Sequence, residues 1–458
     1  VGRSINFLLI FVFTKYFTPA FLAPHVEFYA YAGFFFVVLP HGMETAFFNF
    51  ARSKEKYQDV FTTAMTSLLI VVVIFLALML SNKSTISSFV GHSDHLSYVL
   101  WFALIMAVDV LKSVPYALLR YLNKAKKFAS VKSTGILINV GLNVFFIVYY
   151  PDITGTDPDI EFVFITNLVA SAVELLLVSS DIFKNLGTAS IGLWKKMFRY
   201  SWPLIILGFA GMINETFDRL ALRKLLPAET VDYEIGVYGT FYKLSMLMTI
   251  FIQAFRYAAE PLFFSQADKN DAKSSYVQIM NWFVFACGGI FLVTSLFKKE
   301  IAELLISKPE FHQHPDALFI VPILLMANML LGIFFNLSIW YKLNNKTVLG
   351  AAISLAGAAV TIALLLVYVP VYGFKAAAVT TLIAYFIMTA LSYFLGQKYY
   401  PVNYNVKVVL NLITISVLLY LVSEYDGLAS WSAYFINTIY ISIYGLVGYM
   451  LMKSTRKS

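Results

Sequence analysis

Residues 201–227 read SWPLIILGFAGMINETFDRLALRKLLP, an apolar run that continues into a more polar segment. Four side chains make this segment polar: Asn214, Glu215, Asp218 and Arg219. About 20 apolar residues are enough to cross a bilayer as a helix. In such a helix the four polar side chains share an arc of about 140° with Gly211. The stretch therefore predicts a membrane-spanning helix with one polar stripe that faces away from lipid.

The composition of the whole chain agrees with this prediction. Of 458 residues, 59% are apolar, 17% are aromatic and only 13% are charged, and the mean hydropathy is +0.74. These values lie far from those of soluble proteins. Apolar runs of about 20 residues recur from end to end, which leaves no room for a soluble domain. The fold class predicted is an all-α polytopic membrane protein.

A helix-length window predicts about 14 transmembrane helices. The candidate spans lie near residues 1–17, 26–50, 59–81, 96–120, 130–150, 160–180, 198–222, 236–264, 277–297, 317–341, 348–369, 374–396, 406–423 and 431–452. No cleavable signal peptide precedes them, and the chain opens at Val1 inside a helix-like run. We therefore expect the native chain to begin upstream.

Lysine and arginine are unevenly distributed over the connections between spans. Residues 150–160 contain neither, whereas residues 120–132 contain Arg120, Lys124, Lys126, Lys127 and Lys132. Because cytoplasmic connections retain positive charge, the pattern predicts that both termini face the cytoplasm. The net charge of +8 is mostly this topology signal, so no nucleic-acid partner is expected.

An internal repeat relates span 2 to span 8 and span 4 to span 10. Residues 44–51 (ETAFFNFA) match residues 260–267 (EPLFFSQA), and Tyr121 and Lys126 match Tyr341 and Lys346. Both matches shift by six spans, so the two halves share one orientation, as in transporters with a central substrate site. The domains predicted are an N-terminal six-helix lobe at 1–182, a C-terminal six-helix lobe at 183–397, and two additional helices with a cytoplasmic tail at 398–458.

Four stretches stand out as motifs: residues 29–50 (YAYAGFFFVVLPHGMETAFFNF), 211–227 (GMINETFDRLALRKLLP), 250–264 (IFIQAFRYAAEPLFF) and 336–347 (NLSIWYKLNNKT). Together they resemble bacterial polysaccharide exporters and oligosaccharide flippases, especially the Bacteroidetes type, over essentially the whole chain. That family belongs to the multidrug, oligosaccharidyl-lipid and polysaccharide (MOP) exporter superfamily, with the lipid II flippase and the multidrug and toxin extrusion (MATE) antiporters. The resemblance implies two six-helix lobes in a V, two appended helices and alternating access.

Charged side chains within spans are candidate site residues, because a charge in the bilayer is costly unless it faces protein or water. An arginine offers a pyrophosphate-bearing ligand a bidentate fork that stays charged in a low-dielectric cavity. Arg256 is the first candidate, since it shares a face of span 8 with Gln253 and Glu260. The full set of substrate-binding candidates is Arg256, Arg3, Lys243, Arg219, Gln253 and Asn214.

A second set of intramembrane charges is expected to act in gating or ion coupling: Glu44, Glu260, Glu215, Asp218, Asp109 and Lys112. These groups either hold the cations in place or bind a coupling ion, H⁺ or Na⁺. In the alternative, pairs such as Arg256 with Glu260, and Glu215 with Arg219, are structural braces. Asp109 and Lys112, three residues apart, are expected to form a local pair. A pair that broke as the lobes moved would be both brace and gate.

Other polar residues favour structural roles. Asn139, Asn143, Asn167 and Glu174 are expected to form hydrogen bonds between helices, and His25 and His41 to pack or lie at interfaces. The pairs His92 and His95, and His312 and His314, have no sequence neighbours that would define a metal site. The single cysteine, Cys287, excludes an intrachain disulfide and a paired-thiol site.

The function that these residues and the resemblance imply is a flippase for a polyprenyl-pyrophosphate-linked oligosaccharide in the bacterial inner membrane. Its cargo is expected to be a repeat unit of O-antigen, capsule or exopolysaccharide, with membrane lipid and polysaccharide polymerase or chain-length components as partners. No cofactor is expected, and no enzymatic activity. Two alternatives remain: a multidrug or cation antiporter of the same superfamily, and a membrane-embedded polysaccharide polymerase or ligase.

Overall fold

The computed structural model describes residues 2–51, 56–266, 272–344, 346–425 and 430–455. Helices dominate these residues, and no β-strand occurs among them. The chain forms two compact units, Val1–Gly239 (unit 1) and Thr240–Ser458 (unit 2). The lobe boundaries near residues 182 and 397 stay predictions.

Unit 1 contains ten α-helices and the start of an eleventh. They are α1 (Gly2–Tyr16), α2 (Pro19–Val38), α3 (Met43–Ala51), α4 (Tyr57–Ser81), α5 (Lys83–Val90), α6 (Leu96–Tyr121), α7 (Ala125–Val144), α8 (Tyr150–Thr154), α9 (Glu161–Lys184), α10 (Ile191–Leu225) and α11 (Val231–Gln266). A π-helical turn, Phe145–Tyr149, joins α7 to α8. Helix α6 packs between α4 and α9, and α10 lies along α2 and α3.

Unit 2 takes the rest of α11 and eight further helices. They are α12 (Ala272–Leu296), α13 (Lys298–Leu305), α14 (Pro309–His312), α15 (Ile320–Leu337), α16 (Ile339–Leu343), α17 (Thr347–Tyr399), α18 (Val406–Tyr425) and α19 (Ser430–Thr455). Helix α15 packs on α17, and α12 contacts α15, α18 and α19. Helix α17 is kinked at Gly373, whose φ of 56° and ψ of −144° are not helical.

The helical membrane fold predicted from the sequence is confirmed, because every predicted span coincides with one or more of these helices. Among the described residues, 11 helices are long and apolar enough to cross a membrane. One of them is α17, which contains two predicted spans on either side of its kink. The count of 14 is therefore approximate.

Span 2 departs from a single helix, since it breaks between α2 and α3. Proline at position 40 lacks an N–H to donate, and His41 and Gly42 have positive φ values of 37° and 72°. The His41 ring stabilises the break, with Nδ1 2.7 Å from the Leu39 carbonyl oxygen and Nε2 2.7 Å from Ser67 Oγ. Its buried, hydrogen-bonded position confirms the packing role predicted for His41.

Candidate functional site

A cavity of about 450 Å³ lies in unit 1, beside the break between α2 and α3. Helices α2, α3, α6, α7 and α10 supply its walls. The polar lining is formed by Glu44, Thr45, Asp109, Lys112, Ser113, Tyr116 and Lys132. The α10 wall is apolar and consists of Leu204, Ile205 and Gly208. An interrupted span next to a polar cavity is the arrangement that transporters use at substrate sites.

Lys112 of α6 is the most deeply buried cation of this site, with 4% of its surface exposed. Its Nζ lies 2.6 Å from Asp109 Oδ1 and 2.6 Å from Glu174 Oε2. The local pair predicted for Asp109 and Lys112 is thus present, and both side chains also line the cavity. Two carboxylates around one ammonium supply the compensation that a buried charge requires.

Glu174 of α9 connects three helices through its carboxylate. Its Oε2 accepts hydrogen bonds from the Tyr116 hydroxyl at 2.8 Å and from Lys132 Nζ at 3.4 Å, besides the one from Lys112. A Cβ at Gly135 of α7 would overlap this carboxylate, so glycine gives Glu174 its space. The bonding role predicted for Glu174 is confirmed, but its partners are cations as well as neutral groups.

Lys132 is the cation that the cavity leaves accessible. It belongs to α7, 42% of its side chain is exposed, and its contact with Glu174 is the longest of that carboxylate's ion pairs. Lys132 also lies 4.3 Å from the centre of the Tyr116 ring. With Asp109 and Glu174 matched by two lysines, the four charges balance. An incoming anion can therefore bind Lys132 in place of its long contact with Glu174. The ion pairs of Lys112 with Asp109 and Glu174 stay intact.

Glu44, predicted as a gating group, lies in the first turn of α3 and also lines the cavity. It forms an ion pair with Arg120 of α6, and about 40% of each of these side chains is exposed. The Arg120 guanidinium also lies 5.2 Å from the Phe48 ring centre. This partner is a residue that the sequence places in a cytoplasmic connection.

The polar stripe of α10 lies farther along that helix than the cavity wall. Asn214 and Asp218 are buried, with 6% and 4% exposed, whereas Glu215 is exposed. Asp218 accepts a hydrogen bond from the Tyr238 hydroxyl, and its Oδ1 lies 3.5 Å from Arg219 Nη1. Arg219 also donates to the backbone carbonyl of Glu215 at 3.0 Å. Asn214, Asp218 and Arg219 thus pack against protein whereas Glu215 does not, and the role of the stripe in binding or coupling stays a prediction.

The remaining substrate candidates lie mostly in unit 2. Arg256, Gln253 and Lys243 are half-buried on α11, and the Arg256 guanidinium lies 4.0 Å from the Phe335 ring centre. The side chains of Arg3 and Glu260 lie outside the described residues, as does the brace predicted between Arg256 and Glu260. Their functional roles stay predictions.

Sequence reasoning missed Lys132 and the clustering around Glu174. The charge pattern counts Lys132 with the cytoplasmic connection 120–132, whereas α7 begins at Ala125 and places Lys132 inside the helix. Asn143 shows the expected interhelical bond, donating to Thr166 Oγ1 at 2.8 Å. A signal for Lys132 did exist, since it lies one helical turn before Gly135 on the face that meets α9.

Comparison with solved structures places this architecture among known transporters. The structure described as lipid II flippase MurJ in an inward closed conformation matches with a TM-score of 0.78 and 14% identity, over 98% of this chain and 97% of that one. An inward-facing multidrug resistance MATE family transporter of the MOP superfamily matches at 0.70 and 14%, over 87% and 94%. The MATE multidrug transporter DinF-BH matches at 0.60 and 15%, over 88% and 93%.

At the sequence level, residues 49–267 match the family described as polysaccharide biosynthesis protein. This match covers 219 of the 458 residues, slightly less than half of the chain. No curated protein matches the chain in sequence. At 14% to 15% identity, these solved structures establish the fold alone. The matched family segment spans α3 to α11 and includes Lys112, Lys132 and Glu174.

Proposed function

We propose that this chain is a flippase of the MOP exporter superfamily that moves a polyprenyl-pyrophosphate-linked oligosaccharide from the cytoplasmic to the outer leaflet of the bacterial inner membrane. It works by alternating access and catalyses no covalent step. The polar headgroup travels through the protein while the polyprenyl chain stays in lipid. Both termini face the cytoplasm, and H⁺ or Na⁺ supplies the driving force. Polysaccharide polymerase or chain-length components receive the product.

The observation that carries this proposal is the lysine pair in the unit 1 cavity. Lys112 and Lys132 face a space of about 450 Å³ together with the hydroxyl groups of Ser113 and Tyr116. Ammonium groups donate charge-assisted hydrogen bonds to phosphate oxygens. The two hydroxyl protons are already donated, from Ser113 to the Val110 carbonyl oxygen at 2.7 Å and from Tyr116 to Glu174 at 2.8 Å. Because its contact with Glu174 is long, Lys132 is the ammonium group that exchanges this carboxylate for a phosphate as its partner. Lys112 remains paired with Asp109 and Glu174, and its charge adds to the positive potential that attracts the phosphate.

Lys132 provides the sharpest test of the anion-binding role. Lys132→Gln removes the accessible charge and keeps a similar length, so we expect export of the glycan to fall strongly at normal membrane levels. Lys132→Arg keeps the charge and should retain part of the export. The assay is complementation of surface polysaccharide in a strain that lacks this exporter.

Lys127 offers a matched control on the same helix. It pairs with Asp181, which also contacts Lys124, away from the cavity. Lys127→Gln should leave export unchanged, because Lys124 still neutralises Asp181. Equal loss of export in Lys127→Gln and Lys132→Gln, or full export by Lys132→Gln, would contradict the proposal.

The antiporter alternative is favoured by one observation, namely the fold match to multidrug MATE transporters. The charges of the cavity favour neither function, because Lys112 and Lys132 are matched by Asp109 and Glu174. Growth in the presence of a cationic dye such as ethidium distinguishes the two functions. Drug resistance conferred by the wild-type chain and retained by Lys132→Gln would identify an antiporter.

A further inference from the structure

A second cluster of buried charges lies away from the cavity in unit 1. Along α10, Arg223 lies about 22 Å beyond the cavity residue Gly208. Its Nε donates to Glu27 Oε1, and its Nη2 donates to Glu27 Oε2 at 2.6 Å and to Asp232. His92 Nε2 lies 2.7 Å from the same Glu27 carboxylate. We call Glu27, His92, Arg223 and Asp232 the outer cluster, because the connections that carry His92 and Asp232 are predicted to face outward.

The outer cluster is an ion-pair network. Glu27, His92 and Asp232 place ligand atoms within 4.8 Å of one another, so the expectation that His92 has no carboxylates around it is wrong. The guanidinium of Arg223, however, donates to both carboxylates and supplies the positive charge that a metal ion would bring. Glu27 is wholly buried, and this bidentate fork compensates its charge.

Two neighbouring features hold α10 at the same place. Gly91 has a φ of 94°, and a Cβ there would lie 3.1 Å from Arg223 Cδ, so glycine lets the arginine stem cross the connection after α5. The next residue, Lys224, donates to the Phe89 carbonyl oxygen, and its Nζ lies 4.0 Å from the Phe89 ring centre. Consecutive cations at the end of α10 therefore attach it to α2 and to the end of α5.

The backbone of α11 closes against α2 on the same side. A Cβ at Gly236 would overlap the carbonyl oxygen of Pro19, the first residue of α2. Because the obstacle is backbone, a side chain at position 236 cannot be accommodated by a rotamer change. Only glycine permits this approach of α11 to α2, four residues after Asp232.

We propose that the outer cluster is a latch that keeps the predicted outer side of the transport path closed, and that Arg223 releases Glu27 in every cycle. The inference rests on the proposed alternating-access function. The predicted lobe boundary near residue 182 puts α2 in the first lobe and α10 and α11 in the second, and all of these contacts lie within unit 1. Opening toward the outside must therefore separate Glu27 from Arg223 and Asp232.

The chemistry of the cluster suits a contact that forms and breaks. A buried ion pair costs desolvation that its attraction roughly repays, so water entering on opening recovers much of the lost energy. The closed arrangement has one defined geometry, because the Arg223 guanidinium donates two parallel hydrogen bonds to the Glu27 carboxylate. Such a pair gives two discrete states, and a ligand that favours one of them shifts the population.

The test measures access to the cavity from outside and needs no glycan. A cysteine replaces Thr45, an exposed residue of the cavity lining, in a Cys287→Ala background. Intact cells are treated with a membrane-impermeant maleimide. We expect slow labelling with the latch intact. The double change Glu27→Gln with Arg223→Gln, which leaves no buried unpaired charge, should label severalfold faster.

Two further variants complete the design. Gly236→Ala leaves the charges in place and wedges α11 from α2, so it should also speed labelling. Lys83→Gln removes an exposed lysine of α5 on the same predicted side and should change nothing. Unchanged labelling in both the double variant and Gly236→Ala, at normal membrane levels, would overturn the latch.

The labelling result and the transport result separate the two proposals. Faster labelling without any glycan export by the wild-type chain would keep the latch and reject the flippase. Glycan export with unchanged labelling would keep the flippase and reject the latch.

Discussion

Nζ of Lys112 lies 2.6 Å from Oε2 of Glu174, and these two side chains, 5% and 8% exposed, join α6 to α9 at the edge of the cavity. The pair is not isolated, because Asp109 and Lys132 complete a balanced set of four charges. Stability and substrate binding therefore share residues at this site. A variant that removes one charge alters both, and the two effects must be measured separately.

The balance of charges predicts a strong coupling between Lys112 and Glu174. Lys112→Met leaves a net negative cluster and Glu174→Gln a net positive one, so each should lower the free energy of unfolding by about 3–5 kcal/mol. The double variant restores neutrality and should lose less than the sum of the single changes. Thermal unfolding of the purified protein in detergent measures all three. Strictly additive losses would show that the two groups do not interact.

The space around Glu174 predicts opposite effects for two glycines of α7. Gly135→Ala forces a methyl group into the Glu174 carboxylate and should lower the melting temperature. Gly141→Ala, on the same helix, meets no atom within 4 Å and should be neutral or stabilising by up to about 1 kcal/mol. Equal effects of the two substitutions would argue against tight packing at Glu174.

The spans could be predicted from the sequence because apolar length is a local property that survives without knowledge of packing. The pairing of charges could not be predicted in the same way. Asp109 and Lys112 are three residues apart and were predicted as a pair, whereas Lys112 with Glu174 and Glu27 with Arg223 join distant helices. Which faces of those helices meet depends on tertiary packing, and a single sequence carries no direct record of it.

The break in span 2 was missed for a different reason. Pro40 and Gly42 are both visible in the sequence, but in membrane helices such residues are often accommodated without interruption. The decisive contacts come from elsewhere, since His41 bonds to Ser67 of α4, and Ser201 of α10 donates to the His41 carbonyl at 2.9 Å. The site at this break was therefore hidden, although Glu44 beside it was named as a candidate.

The break in span 2 predicts that alanine lowers the melting temperature by different amounts at two glycines with similar backbone angles. Gly42 and Gly155 have φ values of 72° and 69°, so alanine at either position carries about 1–2 kcal/mol of left-handed strain. At Gly42 a Cβ would also lie 2.7 Å from Ser201 Cβ, whereas at Gly155 it meets no atom within 4 Å. Gly42→Ala should therefore lower the melting temperature further than Gly155→Ala. Equal shifts in melting temperature would show that α10 moves at Ser201 to accommodate the methyl group without loss of stability.

Membrane topology is open to a direct test. Residues 120–132 are predicted to be cytoplasmic and residues 150–160 to face outward, because cations crowd the first segment and are missing from the second. Cysteines at Lys126 and Thr156 in a Cys287→Ala background, treated with an impermeant thiol reagent on intact cells, should label only at 156. Labelling at 126 from outside would overturn the count of 14 helices.

Arg256 is the remaining test, and it separates an anion-binding role from a brace to Glu260. Its guanidinium lies 4.0 Å from the centre of the Phe335 ring, and an arginine stacked on an aromatic face still donates hydrogen bonds from its edge. A phosphate oxygen is one acceptor for such bonds. Phe335→Leu keeps an apolar neighbour and removes the ring face, so it should reduce export less than Arg256→Ala does.

If Arg256 only braced Glu260, Arg256→Ala would leave the Glu260 carboxylate unpaired, and adding Glu260→Gln would restore most of the export. If it binds the anion, the double variant stays inactive at normal membrane levels. Arg256→Lys, which keeps the charge and loses the fork, then retains only part of the export. Surface-polysaccharide complementation with quantified membrane levels measures each variant. Rescue by Glu260→Gln, or full export by Arg256→Ala, would assign Arg256 to structure and leave Lys132 as the leading anion-binding group.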